Sequence, residues 1–281
     1  EPSVPLRIRQ GLNVESGLND GLIVPAVTLF TALALGEADT DPGFWGRFVG
    51  QQLLGGLAIG LAVGVIGGLV VAAADRRGSM EGIYAQLATL ALAVAAFTAA
   101  VGLEANGFIA AFVAGMAFGR MCGPELADHL DEYTEDTGRL LAIVAFFLFG
   151  NLFVVDALGA TSLPVILCAL AALTIGRMVP VVVAMAGMGA AWPTKVFVGW
   201  FGPRGLASIL FGLLLLEEAL PAADELFAVI AWTVVASVFL HGATAGWGAR
   251  AYGRWFDAMS DDERHEMPEG VMVTEQPTRR L

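Results

Sequence analysis

Glu15, Ser16, Asn19 and Asp20 fall within NVESGLNDGLIVPAVTLF, a run that otherwise reads as a membrane-spanning helix. A charged side chain in hydrocarbon costs on the order of several kcal/mol, so such residues face a bundle interior and carry function there. At i, i+4 spacing Glu15 shares a helix face with Asn19, and Ser16 shares one with Asp20. The four form one polar patch flanked by Gly17 and Gly21. A carboxylate beside hydroxyl and amide oxygens suits a hard cation such as Na⁺. The same carboxylate can take up a proton, so cation and proton would compete for one site. That competition is the coupling step of an exchanger. The plainer alternative is a satisfied interhelical hydrogen-bond cluster. Two acids in a single span weigh against it.

Two further features could act on this patch. Arg177 lies about midway along an apolar run, LTIGRMVPVVV, and an always-charged guanidinium there needs a partner. Glu15 and Asp20 are the candidates; the alternative is an arginine snorkelling to the interface. The second feature is GWFGPRGLAS, residues 199–208, where Gly202, Pro203 and Gly205 surround Arg204. Proline removes a backbone donor and glycine adds freedom, so the spacing predicts a discontinuous helix. Transporters place such breaks near the bilayer midplane, where Arg204 would offset a half-helix dipole or a carboxylate. A simple proline kink is the alternative. Asn106 is expected to cap or link helices. His241 is expected to be a hydrogen-bonded packing residue, and Asn151 and Asp156 interface groups. Glu217-Glu218 reads as a solvated helix end.

The elements that must position these groups are helices. The chain is 57% hydrophobic and only 15% charged, against about 25% charged residues in soluble domains. The 35 glycines would let such helices approach closely. Apolar runs predict spans at roughly 12–35, 48–74, 82–102, 105–122, 138–157, 162–187, 193–217 and 224–249. Gly102 to Glu104 make a tight helical hairpin between the third and fourth. The acidic stretch 124–138 reads as a surface helix or loop leading into the fifth. Long continuous runs exclude the alternating pattern of a membrane barrel. Arg7, Arg9, Arg76, Arg77, Arg120, Arg139 and Lys195 fall on the side of the chain start, as do the arginines after residue 249. Arg47 alone falls opposite, so both ends of this chain should be cytoplasmic. The net charge of −12 excludes a basic nucleic-acid footprint. Cys122 and Cys168 read as buried thiols, and no zinc spacing exists. Residues 253–281 read as an acidic, mostly disordered tail after a transmembrane domain over 1–252. The chain opens on Glu1-Pro2-Ser3 with no signal-peptide pattern, and is expected to be the C-terminal portion of a longer protein.

ESGLNDG in an apolar helix, NGFIAAFVAGMAFG and GWFGPRGLASILF, in this order, resemble the monovalent cation:proton antiporter-1 family, the NhaP-like branch of the sodium/proton exchangers. The similarity runs through most of residues 7–250. The resemblance implies an exchanger of two units, a core that carries the ion and an interface unit, usually in a homodimer. It places the ion- and proton-binding carboxylate on Asp20 and an added oxygen ligand on Ser16. Asn19 stands where an electrogenic relative has a second aspartate, which implies electroneutral exchange. The family's buried glutamate–arginine pair falls on Glu15 and Arg177, as a structural pair. Its broken-helix arginine falls on Arg204. The family's other crossing helix carries Thr-Asp-Pro ahead of the region matched here. Thr40-Asp41-Pro42 lies in a loop after the first span and takes no such role. Eight spans correspond to the family's last eight.

The expectation is therefore an all-α, polytopic membrane helix bundle of about eight transmembrane helices, one of them discontinuous: a partial Na⁺/H⁺ antiporter fold. Its function would be exchange of Na⁺, K⁺ or Li⁺ for H⁺ across the cell (inner) membrane, with Asp20 as the Na⁺ ligand and no resident cofactor. Its partners are those ions and the lipid bilayer, with no nucleic acid. The alternatives are an ion channel, a proton-coupled transporter of another substrate, or a non-transporting membrane scaffold or sensor.

Overall fold

A computed structural model of the chain describes residues 4–36, 41–79, 82–202, 205–217, 220, 222–260 and 267–270. Helices follow the apolar runs: α1 (Leu6–Leu35), α2 (Pro42–Gly50), α3 (Gly56–Arg76), α4 (Gly82–Gly102), α5 (Gly107–Cys122), α6 (Pro124–Leu152) and α7 (Val154–Ala157). Then come α8 (Leu163–Leu173), α9 (Ile175–Ala184), α10 (Trp192–Trp200), α11 (Leu206–Glu217) and α12 (Ala223–Asp257). A π-helical stretch, Gln51–Gly55, joins α2 to α3. There is no strand among the described residues. The helix starts use ordinary caps: Asp41 accepts from Gly43 N at 2.9 Å ahead of Pro42, and Ser162 accepts from Val165 N at 3.4 Å ahead of Pro164. Gly123, at φ +81°, separates α5 from α6 in a conformation other residues rarely adopt.

The patterning is that of a polytopic membrane bundle. Buried positions are small: Ala96, Ala100, Ala110, Ala114, Ala228 and Ala231 are at most 2% exposed. Large apolar side chains point outward, with Phe30, Leu54, Phe147 and Phe239 each at least 67% exposed. Water would oppose apolar exposure on this scale, whereas hydrocarbon accepts it and leaves close packing of small residues to hold helices together. Leu6–Leu35, Gly43–Arg76, Ile83–Gly102, Leu163–Ala184 and Ala223–Asp257 are long and apolar enough to cross a membrane. Helices α5 and α11 are apolar but shorter.

Two compact units divide the chain: Gly17–Leu148, and Glu1–Ser16 with Phe149–Leu281. The divisions fall inside α1 and α6. In the Gly17–Leu148 unit α5 is the hub. Gly56, Gly60, Gly64 and Gly68 recur every fourth residue of α3 and turn a bare backbone stripe toward α5. A β-carbon on Gly60 would lie 2.5 Å from Ala110 O, and one on Gly68 would lie 2.5 Å from Met121 Cβ. Phe97 of α4 packs over Gly107 at 2.7 Å from its β-carbon position and meets Phe108 edge-on. Gln52 closes the α4–α5 hairpin: its carbonyl accepts from Asn106 N and its side chain donates to Glu104 O at 3.0 Å.

In the other unit, α12 runs beside α8, α10 and α11. Val4, Phe197, Ala249 and Tyr252 form a core flanked by Ile8, Leu12, Phe201 and Trp255, which ties the start of α1 to α10 and α12. Thr194, fully buried, lies 2.9 Å from Tyr252 Oη.

Several local expectations change. The acidic stretch and the fifth span are one helix, α6, with Arg139 reaching back to Glu135 and Asp136. The sixth span is interrupted at Thr174 (φ −99°, ψ −81°) between α8 and α9. Helix α12 continues to Asp257, into the stretch read as tail, because Tyr252 and Trp255 still have apolar partners to pack on. Pro268–Gly270 is also placed: Arg7 donates to Pro268 O and Ala191 N donates to Glu269 Oε1. Cys168 is exposed rather than buried, since it lies off the face of α8 that packs through Val165, Ala169 and Leu173; Cys122 is part-buried and both are free.

Candidate functional site

Helix α1 carries Glu15, Ser16, Asn19 and Asp20 in one unbroken helical stretch. Glu15 and Asp20 are part-buried, whereas Ser16 and Asn19 are exposed in this chain. The glycines beside Asp20 explain its placement. Phe112 of α5 fills the space over Gly17, 2.7 Å from a β-carbon position there, and Ile109 does the same over Gly21 at 2.5 Å. A β-carbon at 17 or 21 would force Phe112, Ile109 or α1 itself to shift. Within its own unit, and among the described residues, the Asp20 carboxylate has no ion-pair partner.

The contact at Gly21 has a specific chemistry. Pro25 lies inside α1, four residues on, and brings no N–H to the Gly21 carbonyl. Asn106, 2% exposed, supplies the missing donor: its Nδ2 lies 2.7 Å from Gly21 O. Its Oδ1 meanwhile accepts from Ile109 N at 3.0 Å and caps α5. One amide thus satisfies a proline-orphaned carbonyl on α1 and an orphan donor on α5, as membrane helices require where no water can do so. Asn106 both caps and links, as its position at the start of NGFIAAF suggests. Its bond to the residue next to Asp20 has one sequence signal, Pro25 at i+4 of Gly21, and that signal names no partner.

Arg177, near the start of α9, meets Glu15. Nη1 lies 2.6 Å from Oε1 and Nη2 lies 2.7 Å from Oε2, a fork-to-fork ion pair. The arginine side chain is 12% exposed and the glutamate 38%. The third nitrogen, Nε, is buried without a hydrogen-bond partner among the described residues. Helix α9 comes this close to α10 because α10 presents glycine: a β-carbon on Gly199 would lie 2.8 Å from Met178 Sδ.

Helix α10 ends at Trp200 and α11 begins at Leu206. Phe201 leaves helical geometry at φ −85°, ψ +48°. Gly202 and Gly205 are described; Pro203 and Arg204 lie outside the described residues, as do Thr40, Glu218 and most of the tail. The end of α10 packs on α12, where Trp200 Nε1 donates to Thr244 Oγ1 at 2.9 Å. His241 is buried 5.0 Å from the Trp200 ring, with Nδ1 2.9 Å from Ser237 Oγ, so it packs and hydrogen-bonds there. Asp41 caps α2 and approaches Arg47 at 3.6 Å, a local structural use of the Thr-Asp-Pro run.

Comparison with known proteins gives the chain's family. Residues 2–250 match the model of the family described as sodium/hydrogen exchanger, transmembrane. A K⁺/H⁺ antiporter, NhaP, from Alkalimonas amylolytica is 25% identical over 250 residues, which is 89% of this chain and 42% of that protein. The chain thus spans about two fifths of the length of the curated relative it matches. No solved structure matches. The family match covers α1 through most of α12, including the polar patch, Arg177 and the end of α10, and the chain belongs to the sodium/hydrogen exchanger family.

Proposed function

We propose that this chain carries the exchange site of a secondary antiporter that trades a monovalent cation, Na⁺ or K⁺, for protons. The observation that carries the reading is the fork-to-fork pair between Arg177 and Glu15. It neutralises one of the two carboxylates of α1 and leaves Asp20 as the carboxylate available to a mobile ion. Asp20 would bind cation and proton in competition, with Ser16, one turn earlier on the same helix, as a further oxygen ligand. Asn19 adds an amide rather than a second negative charge, which fits one-for-one, electroneutral exchange. Arg204, with Gly202, Pro203 and Gly205 around it, would compensate charge at the α10–α11 break. No bond is made or broken, so the protein works as a transporter rather than an enzyme. It would sit in the cell membrane with both ends of this chain cytoplasmic, working in the full-length protein as a homodimer. The curated relative's name, a K⁺/H⁺ antiporter, favours K⁺ as strongly as the family description favours Na⁺.

The test is dye-reported proton flux in vesicles holding the full-length protein, with Na⁺, Li⁺ and K⁺ added in turn. Wild type should dissipate a proton gradient on addition of its cation, and Asp20→Asn should not. Wild-type flux from Asp20→Asn would overturn the site assignment. Flux without any counter-ion, at rates beyond a carrier, would indicate a channel.

A further inference from the structure

The segment that leaves α10 is gripped by two neighbours. On one side the Phe201 ring enters a notch on α12: a β-carbon on Gly248 would lie 2.5 Å from Phe201 Cζ. On the other, the Arg177 guanidinium occupies the space over Gly202. A β-carbon there would sit well inside 3.0 Å of Nη2, Cζ and Nε together. Near-equal approach to three atoms of one planar group puts that β-carbon over the guanidinium face. Gly202 does not have the positive φ that selects glycine at Gly123, Gly187 and Gly189. What position 202 demands is the absence of a side chain, not backbone freedom.

We propose that Gly202 is a positioning residue for the Glu15–Arg177 pair and, through it, for the rate of exchange. This rests on the antiport reading above. The guanidinium reaches both Glu15 oxygens from a seat that only glycine leaves open. Any side chain at 202 forces Arg177 to swing away, and the swing breaks the fork. Glu15 then becomes a second carboxylate without a cation, five residues from Asp20 on the same helix. A carboxylate left without a cation in a membrane bundle is costly, so the start of the helix that carries the exchange site is no longer held on α9. The break after α10 and the ion pair are in this view one device, with α9 supplying the arginine that spans them.

The test compares Gly202→Ala in two backgrounds of the full-length protein in proteoliposomes: wild type and the neutral pair Glu15→Gln/Arg177→Gln. In wild type, Gly202→Ala should slow exchange about tenfold or more. In the neutral-pair background it should leave the rate unchanged, because no guanidinium remains to displace. Gly242→Ala on α12, where an added β-carbon meets nothing within 4 Å, is the control and should behave as wild type. Equal loss in both backgrounds would overturn the proposal. The melting temperatures of the same purified variants form a second cycle that needs no transport: Gly202→Ala should lower the value only where Arg177 is present. If wild type shows no cation-dependent proton flux, the antiport reading fails, while the melting cycle still decides the role of Gly202.

Discussion

Replacing Asn106 by Ala should destabilise the bundle by an amount that depends on Pro25, a residue of a different helix. Asn106 makes two buried hydrogen bonds, at 2.7 Å to Gly21 O and 3.0 Å from Ile109 N. Losing the first leaves a buried carbonyl without a donor, at about 1–3 kcal/mol. Losing the second removes the α5 cap, at about 1 kcal/mol. The expected total is about 2–4 kcal/mol. Pro25→Ala restores a backbone N–H at the position that α-helix geometry pairs with Gly21 O. In that background Asn106→Ala should cost only the cap, about 1 kcal/mol. The coupling between the two sites should therefore be on the order of 1–3 kcal/mol, large for residues on separate helices. Unfolding of purified protein in mixed micelles, followed by the fluorescence of its six tryptophans, measures each corner of the cycle. Asn106→Asp adds a sharper arm: it keeps the cap acceptor but sets a carboxylate oxygen against a carbonyl, so it should be rescued by Pro25→Ala no better than Asn106→Ala is. Additive costs, with Asn106→Ala equally harmful in the wild-type and Pro25→Ala backgrounds, would refute the shared-carbonyl reasoning.

Arg177→Ala should cost on the order of 2–4 kcal/mol by stranding Glu15, and exchanging the two residues, Glu15→Arg with Arg177→Glu, should recover more stability than either swap alone in the same unfolding assay. Gly60→Ala should cost about 1–3 kcal/mol, since its β-carbon would meet the Ala110 carbonyl, a backbone atom that cannot step aside; Gly50→Ala, with nothing within 4 Å, should be near neutral. Glu269→Ala should cost about 1 kcal/mol and raise hydrogen exchange at the Ala191 amide, whose acceptor it removes, while leaving exchange rates within α3 and α5 unchanged.

Much of this molecule is written in its one-dimensional pattern. Runs of apolar residues long enough for a bilayer specify helices whatever their partners, because a backbone in hydrocarbon must satisfy its own hydrogen bonds. Glu15, Ser16, Asn19, Asp20 and Arg177 announce themselves because charge and polarity in such runs are costly and rare. The spacing of Gly56, Gly60, Gly64 and Gly68 marks a face along which another helix can approach. Caps at Asp41, Asn106 and Ser162 are local chemistry and equally legible. Which partner each group finds is a different matter, since it depends on residues tens to hundreds of positions away. The residues left Arg177 between Glu15 and Asp20, five positions apart on one helix, and only the approach of α9 put the guanidinium on Glu15. The same approach turned Gly202 from a loosening residue in a break into the floor under that guanidinium. Asn106 could have been read as a cap, but its second bond required α5 to lie against the one carbonyl of α1 that Pro25 had orphaned. Sequence determines what each helix needs, in donors, neutralised charge and room for close approach. Tertiary structure decides which neighbour meets each need, because those interactions act over a few ångströms in space and carry no record of separation along the chain.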